Sequence, residues 1–362
     1  MEGTKTFAEF AAEIQRRENE KADFLLPTPR LRMEGDESLT FTPEGKSGLF
    51  TTENAVGNPI FPIADNHVHS QIASRLSIPK TFYDGLPERA PGLRSQIVNR
   101  LFTDQPERRM VRTLDGQARA FLSDRFKPFD NILALNAVTP VLQQFPDLQI
   151  KSSDLSARRM YLQVSFPKLV GEIRKGDPVQ LGLTITNSEI GLGTVNVETW
   201  LLRLVCTNGA VAQSILSKRH TGSRIEASDS DYSVYQGDTL LAEMNSLRLR
   251  LRDLTAAALT DEAFQKHLDG MRRLAGIEVT RPETVIENVT KRFQLAESLI
   301  PALQENYFTG KDYTAFGVMN AVTALTHRPG MSLDTQYDIE RIGGDIIALS
   351  PKDWEVLAEK VA

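Results

Sequence analysis

The sequence predicts an α+β fold, with a central, mostly antiparallel sheet unit flanked by helical N- and C-terminal parts. Three observations predict it. Apolar residues recur at helical intervals near the start (Ala8, Phe10, Ala11, Ile14) and from Leu240 onward. Between them, RRMVRTLDGQARAFLSD alternates apolar and polar residues around Asp115-Gly116, a hairpin signal. Further alternating runs follow with short links, which suits antiparallel pairing better than a doubly wound parallel sheet.

Taken in order, a first helix starts at Thr6 and stops before Pro27, and residues 27–63 read as irregular chain or short strands. A second helix begins near Asp65, a suitable N-cap, and carries Val68, Ile72 and Leu76. Tyr83 to Pro91 reads as a turn-rich link, and Leu93 to Phe102 as a third helix. After the hairpin, Ile132 to Phe145 is helical, with Pro140 expected to kink or divide it. LQIKSSD, RRMYLQVSFP, PVQLGLTITN and TVNVETWLLRLVCT are strands that complete the sheet. Helices are expected at LLAEMNSLRLRLRDLTAAAL, after Thr260, from Pro282, over Ala315–Leu325 and from Pro351 to Val361. The polar segment Gly222–Asp238 reads as a linker or loop. The parts are therefore 1–105 (helical and irregular), 106–225 (the β-rich core) and 239–362 (helical).

The composition is that of a soluble globular protein, with 41% hydrophobic and 25% charged residues. No apolar run reaches the roughly 18 residues of a membrane span. The charged start lacks a leader's apolar core, so a cytoplasmic protein that does not contact membrane is expected. A single cysteine, Cys206, builds neither an internal disulfide nor a metal knuckle. Net charge is −5, but residues 94–224 hold 18 Lys+Arg against 11 Asp+Glu, a surplus of +7 that leaves −12 elsewhere.

The stretch NSEIGLGTVNVETWLLRLVCTNGA could be read as a phosphate cradle, a thiol site, or two strands with a tight turn. A dinucleotide loop needs a third glycine and a following helix. Here Gly191-Leu192-Gly193 leads into a strand-like alternation, so the glycines read as a hairpin turn. Cys206 ends an apolar run, where a small buried residue is expected rather than a nucleophile. His67 and His69 lie two apart on a helix and point in different directions, so they chelate no single ion. No catalytic residue, metal site or cofactor motif emerges. The basic residues carry the functional lead. Arg109, Arg112, Arg119, Arg125, Lys127, Arg158, Arg159, Lys218 and Arg219 interleave with Phe126 and Tyr161 on or beside strands. Cations for phosphates and rings for bases are how many proteins hold a single strand. The competing expectation is that these arginines pair with carboxylates and the rings belong to the core.

TFAEFAAEIQRRENEKADFLLPTPRLRM, HSQIASRLSIPKTFYD, VRTLDGQARAFLSDRFKPFDN, the NSEIGLG stretch with KRHTG, and FGVMNAVTALTHR occur in that order. In this the sequence resembles the phage- and plasmid-borne family known as domain of unknown function 932 over nearly its whole length. The family supplies no catalytic residues to transfer. The resemblance implies a bacterial mobile-element protein acting on DNA in replication, recombination or maintenance. Binding or annealing of single-stranded DNA by a non-enzymatic homo-oligomer is the leading expectation. The alternatives are an enzyme on nucleic acid or nucleotides, with Cys206, His220 or Asp229–Asp231 near its centre, and a structural or host-interaction protein.

Overall fold

In the computed structural model, residues 6–41, 59–204, 209–218, 237–328, 330–331 and 333–359 are described, with side chains omitted for 209–218, 237–240, 333 and 334. The first helix, α1 (Phe7–Glu20), starts at Thr6 because a capping box satisfies its first turn. Thr6 Oγ1 accepts from the Glu9 amide at 3.2 Å, and Glu9 Oε2 accepts from the Thr6 amide at 2.8 Å. Removing this cap with Thr6→Ala is expected to lower stability by about 1 kcal/mol in urea unfolding. A loss below about 0.3 kcal/mol would show that tertiary packing alone holds the helix start.

Strands β1 (Ala22–Pro27), β2 (Leu31–Glu34), β3 (Ser38–Phe41) and β4 (Ile60–Pro62) follow. Three short helices come next: α2 (Asn66–Arg75), α3 (Lys80–Arg89) and α4 (Leu93–Asp104). The hairpin β5 (Arg108–Leu114) and β6 (Gln117–Ser123) turns at Asp115 and Gly116, both with positive φ as the Asp-Gly signal requires. Helix α5 (Asn131–Leu142) separates this hairpin from strands β7 (Gln149–Leu155), β8 (Met160–Glu172), β9 (Pro178–Asn187), β10 (Val195–Arg203) and β11 (Gly209–Lys218). Helices α6 (Gly237–Ala258), α7 (Asp261–Ala275), α8 (Pro282–Arg292), α9 (Ile300–Gly310), α10 (Ala315–Thr323), α11 (Leu333–Ala348) and α12 (Pro351–Ala358) form the rest.

The α+β class holds, but the strands form three antiparallel sheets rather than one unit. Their orders are β1-β5-β6, β2-β3-β4 and β11-β10-β9-β8-β7. Strand β1 pairs with β5, from Ala22 opposite Thr113 to Pro27 opposite Arg108, so the N-terminal chain shares a sheet with the first hairpin. One face of the five-stranded sheet, including Leu162, Val164, Leu181, Leu183 and Val197, joins the main core with α1, α5 and the C-terminal helices. A second core packs α2 and α4 on the N-terminal sheets through Val68, Ile72, Val98 and Phe102. No helix among the described residues is long and apolar enough to cross a membrane.

Local differences have identifiable causes. The segment read as a link from Tyr83 is helical through Arg89, because Tyr83 and Leu86 are buried and Pro87 falls in the last turn. Pro140 likewise lies near the end of α5, so that helix runs without division.

Candidate functional site

Two hairpin turns lie side by side at one end of the five-stranded sheet. The β7–β8 turn spans Ser156–Arg159 and is closed by Ser156, whose Oγ accepts from the Arg159 amide at 2.9 Å. The β9–β10 turn spans residues 188–194, with Gly191 at φ +77°; the glycines here make a hairpin turn, not a phosphate cradle. A Cβ at Gly191 would also stand 2.7 Å from Leu122 Cδ2, so glycine is needed there twice over. Ser188 Oγ donates to the Arg158 carbonyl at 2.8 Å, and Arg159 Nη2 donates to the Leu192 carbonyl at 3.1 Å. These bonds stitch the turns together.

The Asn187-Ser188-Glu189 triplet is the hub of this end of the molecule. Asn187 Nδ2 donates to the Phe129 carbonyl at 2.8 Å and to Asn131 Oδ1 at 2.9 Å. Glu189 Oε1 accepts from the Asn131 amide at 2.8 Å, placing a carboxylate at the start of α5, where the helix dipole favours it. Its other oxygen accepts from Arg119 Nη1 at 2.8 Å, and its carbonyl accepts from Arg112 Nη1 at 2.6 Å.

Beside this hub is a narrow cleft lined by Arg17, Arg119, Arg158 and Arg159 together with Glu189, and Arg17 also pairs with Glu13 at 2.8 Å. Arg17 is held from α1 by bonds to the Ser156 and Leu155 carbonyls at 2.8 and 2.9 Å. Arg158 is exposed and makes a forked pair with Asp65, the N-cap of α2. Arg119 is 6% exposed, and its Nε and Nη2 have no hydrogen-bond partner. A buried guanidinium with idle donors is unfavourable until an acceptor arrives.

Among the described residues, Arg109, Arg112 and Lys127 pair with carboxylates of their own rather than joining this cleft. Arg112 is fully buried, pairing with Asp23 and Asp130. Arg109 is buried and pairs with Glu107. Lys127 pairs with Glu243 of α6. Arg125 is exposed in the turn after β6. Lys218 ends β11, and Arg219 lies outside the described residues, as do Cys206, His220 and Asp229–Asp231. Phe126 and Tyr161 are each 4% exposed, so neither ring is available to stack on a base. Phe126 packs with Met110, Leu122 and Ile190, and Tyr161 with Trp200 and Tyr337. Hairpin arginines look solvent-facing in a one-dimensional alternation, but β1 and the 188–194 turn cover this hairpin.

His67 and His69 diverge as the helix period requires. His67 Nε2 meets the Arg119 carbonyl at 2.7 Å, whereas His69 Nδ1 meets the Tyr83 hydroxyl at 2.9 Å. Burial, reinforced by the Arg94 charge, lowers the His69 pKa to about 4. Among the described residues no group of three or more metal-ligating side chains occurs. Arg17 was missed as a site residue because it sits in an ordinary charged helix end, and Glu189 because a lone carboxylate carries no motif.

The family model for the Domain of unknown function (DUF932) matches residues 120–342. The chain belongs to this family. The DUF932 match runs from β6 into α11 and includes both turns and the hub, while Arg17 and Arg119 precede it. No curated protein and no solved structure matches the chain.

Proposed function

We propose that this DUF932 protein binds single-stranded DNA, without catalysing a reaction on it, in replication, recombination or maintenance of DNA in the bacterial cytoplasm. The observation that carries the reading is Arg119, which lines the cleft with three further arginines and is buried with its Nε and Nη2 unpartnered. Such a cleft suits a phosphate oxygen, because guanidinium forks match phosphate geometry and form charge-assisted hydrogen bonds. Its narrowness between two stitched turns favours a single strand over a duplex. The DNA part of the reading rests on the resemblance of the sequence to phage- and plasmid-borne proteins. Arg17, Arg119, Arg158 and Arg159 replace the wider set of cations as the phosphate contacts.

Fluorescence anisotropy of labelled single strands across a salt series tests this. Binding is expected to weaken with salt, with a log–log slope of about −0.7 for each phosphate engaged. The double variant Arg158→Ala, Arg159→Ala should bind about tenfold or more weakly, with a shallower slope, while keeping its circular dichroism. Equal binding by a folded double variant would remove the cleft from the reading. Absence of binding by the unaltered protein at low salt would remove the reading itself.

A further inference from the structure

We infer that Tyr337 is an internal stand-in for an unpaired guanine, and that the sheet face beneath the first turns of α11 seats such a base once Tyr337 swings away. This rests on the DNA-binding reading and adds which part of a strand is recognised. Three observations lead to it.

The first is the company Tyr337 keeps. It is buried against Tyr161 and Trp200, on the face of the five-stranded sheet opposite the main core. Its ring meets the Tyr161 ring edge-on at 5.6 Å between centroids, and the Arg341 guanidinium stands 5.9 Å from its centroid. Its hydroxyl donates to Glu198 Oε2. A flat ring packed by another ring and a guanidinium, with its polar edge on a fixed side chain, is the arrangement in which proteins hold an unstacked base. Tyr161 is therefore closed to a base only while Tyr337 lies against it, and the room required is the room one side chain fills.

The second is the donor count. Glu198 is 1% exposed and its Oε1 has no hydrogen-bond partner; Arg341 Nε stands 3.4 Å away. A phenol brings one O–H, so Tyr337 satisfies one carboxylate oxygen and leaves the other idle. The Watson–Crick edge of guanine brings N1–H and N2–H side by side, matching both oxygens of a carboxylate. Adenine and cytosine set a ring-nitrogen acceptor beside their amino group, and thymine has a single ring N–H between two carbonyls. Thr184 Oγ1 and Trp200 Nε1, on the same face, are also buried and unpartnered. Idle polar groups cost stability, and their gathering on one face suits a surface that receives a polar, uncharged ligand.

The third is the position of Tyr337 in α11 (Leu333–Ala348). It lies in the first turns, whereas Ile339, Ile346 and Ile347 anchor the helix in the main core, and Arg273 Nη2 donates to the Ile347 carbonyl at 2.9 Å. A helix end opens at less cost than its interior, so residues 333–337 can unwind while the isoleucines stay in place. The seat also adjoins the β7–β8 turn, because Arg159 Nη1 donates to the Tyr161 hydroxyl at 2.9 Å. A strand held at that turn has a base within reach of Tyr161.

The experiment compares labelled oligothymidine strands that carry, at one central position, guanine, hypoxanthine (guanine without its 2-amino group) or thymine. Their phosphates are identical, so any difference reports the base. The guanine strand should bind about tenfold tighter than either of the others, since a missing donor leaves a buried carboxylate oxygen unpaired. Tyr337→Phe keeps the ring but removes the bond that holds it on Glu198. It should tighten the guanine strand by roughly three- to tenfold, because the open seat becomes more populated. A tyrosine that served packing alone would give no such gain. In Glu198→Gln the preference should fall to within about twofold; if that variant melts early, the gain in Tyr337→Phe still decides. Equal affinity for the three strands, in the unaltered protein and in Tyr337→Phe alike, would overturn the guanine seat while leaving DNA binding in place. Binding of none of the three would instead overturn the DNA-binding reading. A guanine preference without any gain in Tyr337→Phe, or one undiminished in folded Glu198→Gln, would overturn the stand-in role and place the seat elsewhere.

Discussion

Replacing Arg112 with alanine is expected to lower the unfolding free energy by about 3–5 kcal/mol, the range for breaking a buried ion pair by removing one partner. Arg112 is fully buried at the centre of β5. Its Nε and Nη2 donate to the Asp23 carboxylate of β1 at 2.8 and 2.9 Å, and Nη2 also reaches Asp130 Oδ1 at 2.6 Å. Nη1 donates to the Glu189 carbonyl at 2.6 Å. One side chain thus ties the N-terminal sheet, the start of α5 and the β9–β10 turn. Burial alone would raise the Asp130 pKa, but Arg112 and then Lys21 overcome it and hold the carboxyl well below the usual range. Without Arg112, Asp130 stays buried with Lys21 as its only remaining ion-pair partner among the described residues. Lysine at position 112 should recover only part of the loss, since the three donors of one ammonium cannot reproduce the four guanidinium bonds to Asp23, Asp130 and the Glu189 carbonyl. Urea unfolding near pH 7 is the measurement. A loss below about 1 kcal/mol would mean that water reaches Asp130 and that the network is not a structural tie.

The same residue shows where the sequence stops being legible. The period-2 alternation of β5 and β6 and the Asp-Gly turn placed the hairpin correctly, because local geometry alone decides them. That alternation cannot say which other strand covers the hairpin, so Arg112 and Arg119 looked like surface cations. Their burial depends on Asp23, about ninety positions earlier, and Glu189, about seventy later, and carboxylates at such separations leave no periodic trace. Of the residues lining the cleft, Arg119, Arg158 and Arg159 stand out in the sequence by charge alone, whereas their proximity to Arg17 and Glu189 follows from tertiary packing. Helix α11 was illegible for another reason: Gly343-Gly344 weakens its intrinsic preference, and contacts with the sheet override it. Those contacts have a thermodynamic consequence of their own.

Between pH 5 and pH 8 the stability difference between the unaltered protein and Glu340→Gln is expected to change by about 1–3 kcal/mol, with the glutamine variant favoured at the higher pH. Gln163, Thr184 and Glu198 form one cross-strand row on the face of the five-stranded sheet opposite the main core. Helix α11 lies over that row. Gln163 Nε2 donates to Glu340 Oε2 at 2.7 Å, the Tyr337 hydroxyl bonds Glu198, and Arg341 Nε stands 3.4 Å from Glu198 Oε1. Burial pushes the Glu340 carboxyl up to about 7; the Gln163 bond works against that rise and the Glu198 charge adds to it. Burial also raises Glu198, against the Tyr337 bond and the Arg341 charge, with Asp345 adding to the rise.

A carboxyl whose folded pKa is raised binds its proton more tightly in the folded chain. Its stabilisation is therefore complete below the ordinary value of 4.5 and declines as pH rises through about 7. His69 and His267, whose pKa values burial lowers, act in the opposite sense over part of the same window. The total stability curve mixes these signs, whereas the difference from Glu340→Gln isolates the carboxyl. Glu13, held at about 2 by its bond to Arg16, titrates below the window and leaves it undisturbed. Paired urea titrations at pH 5, 6, 7 and 8 give the curve. A difference that stays flat would mean that Glu340 is already ionised at pH 5, and that α11 rests on the sheet without a retained proton.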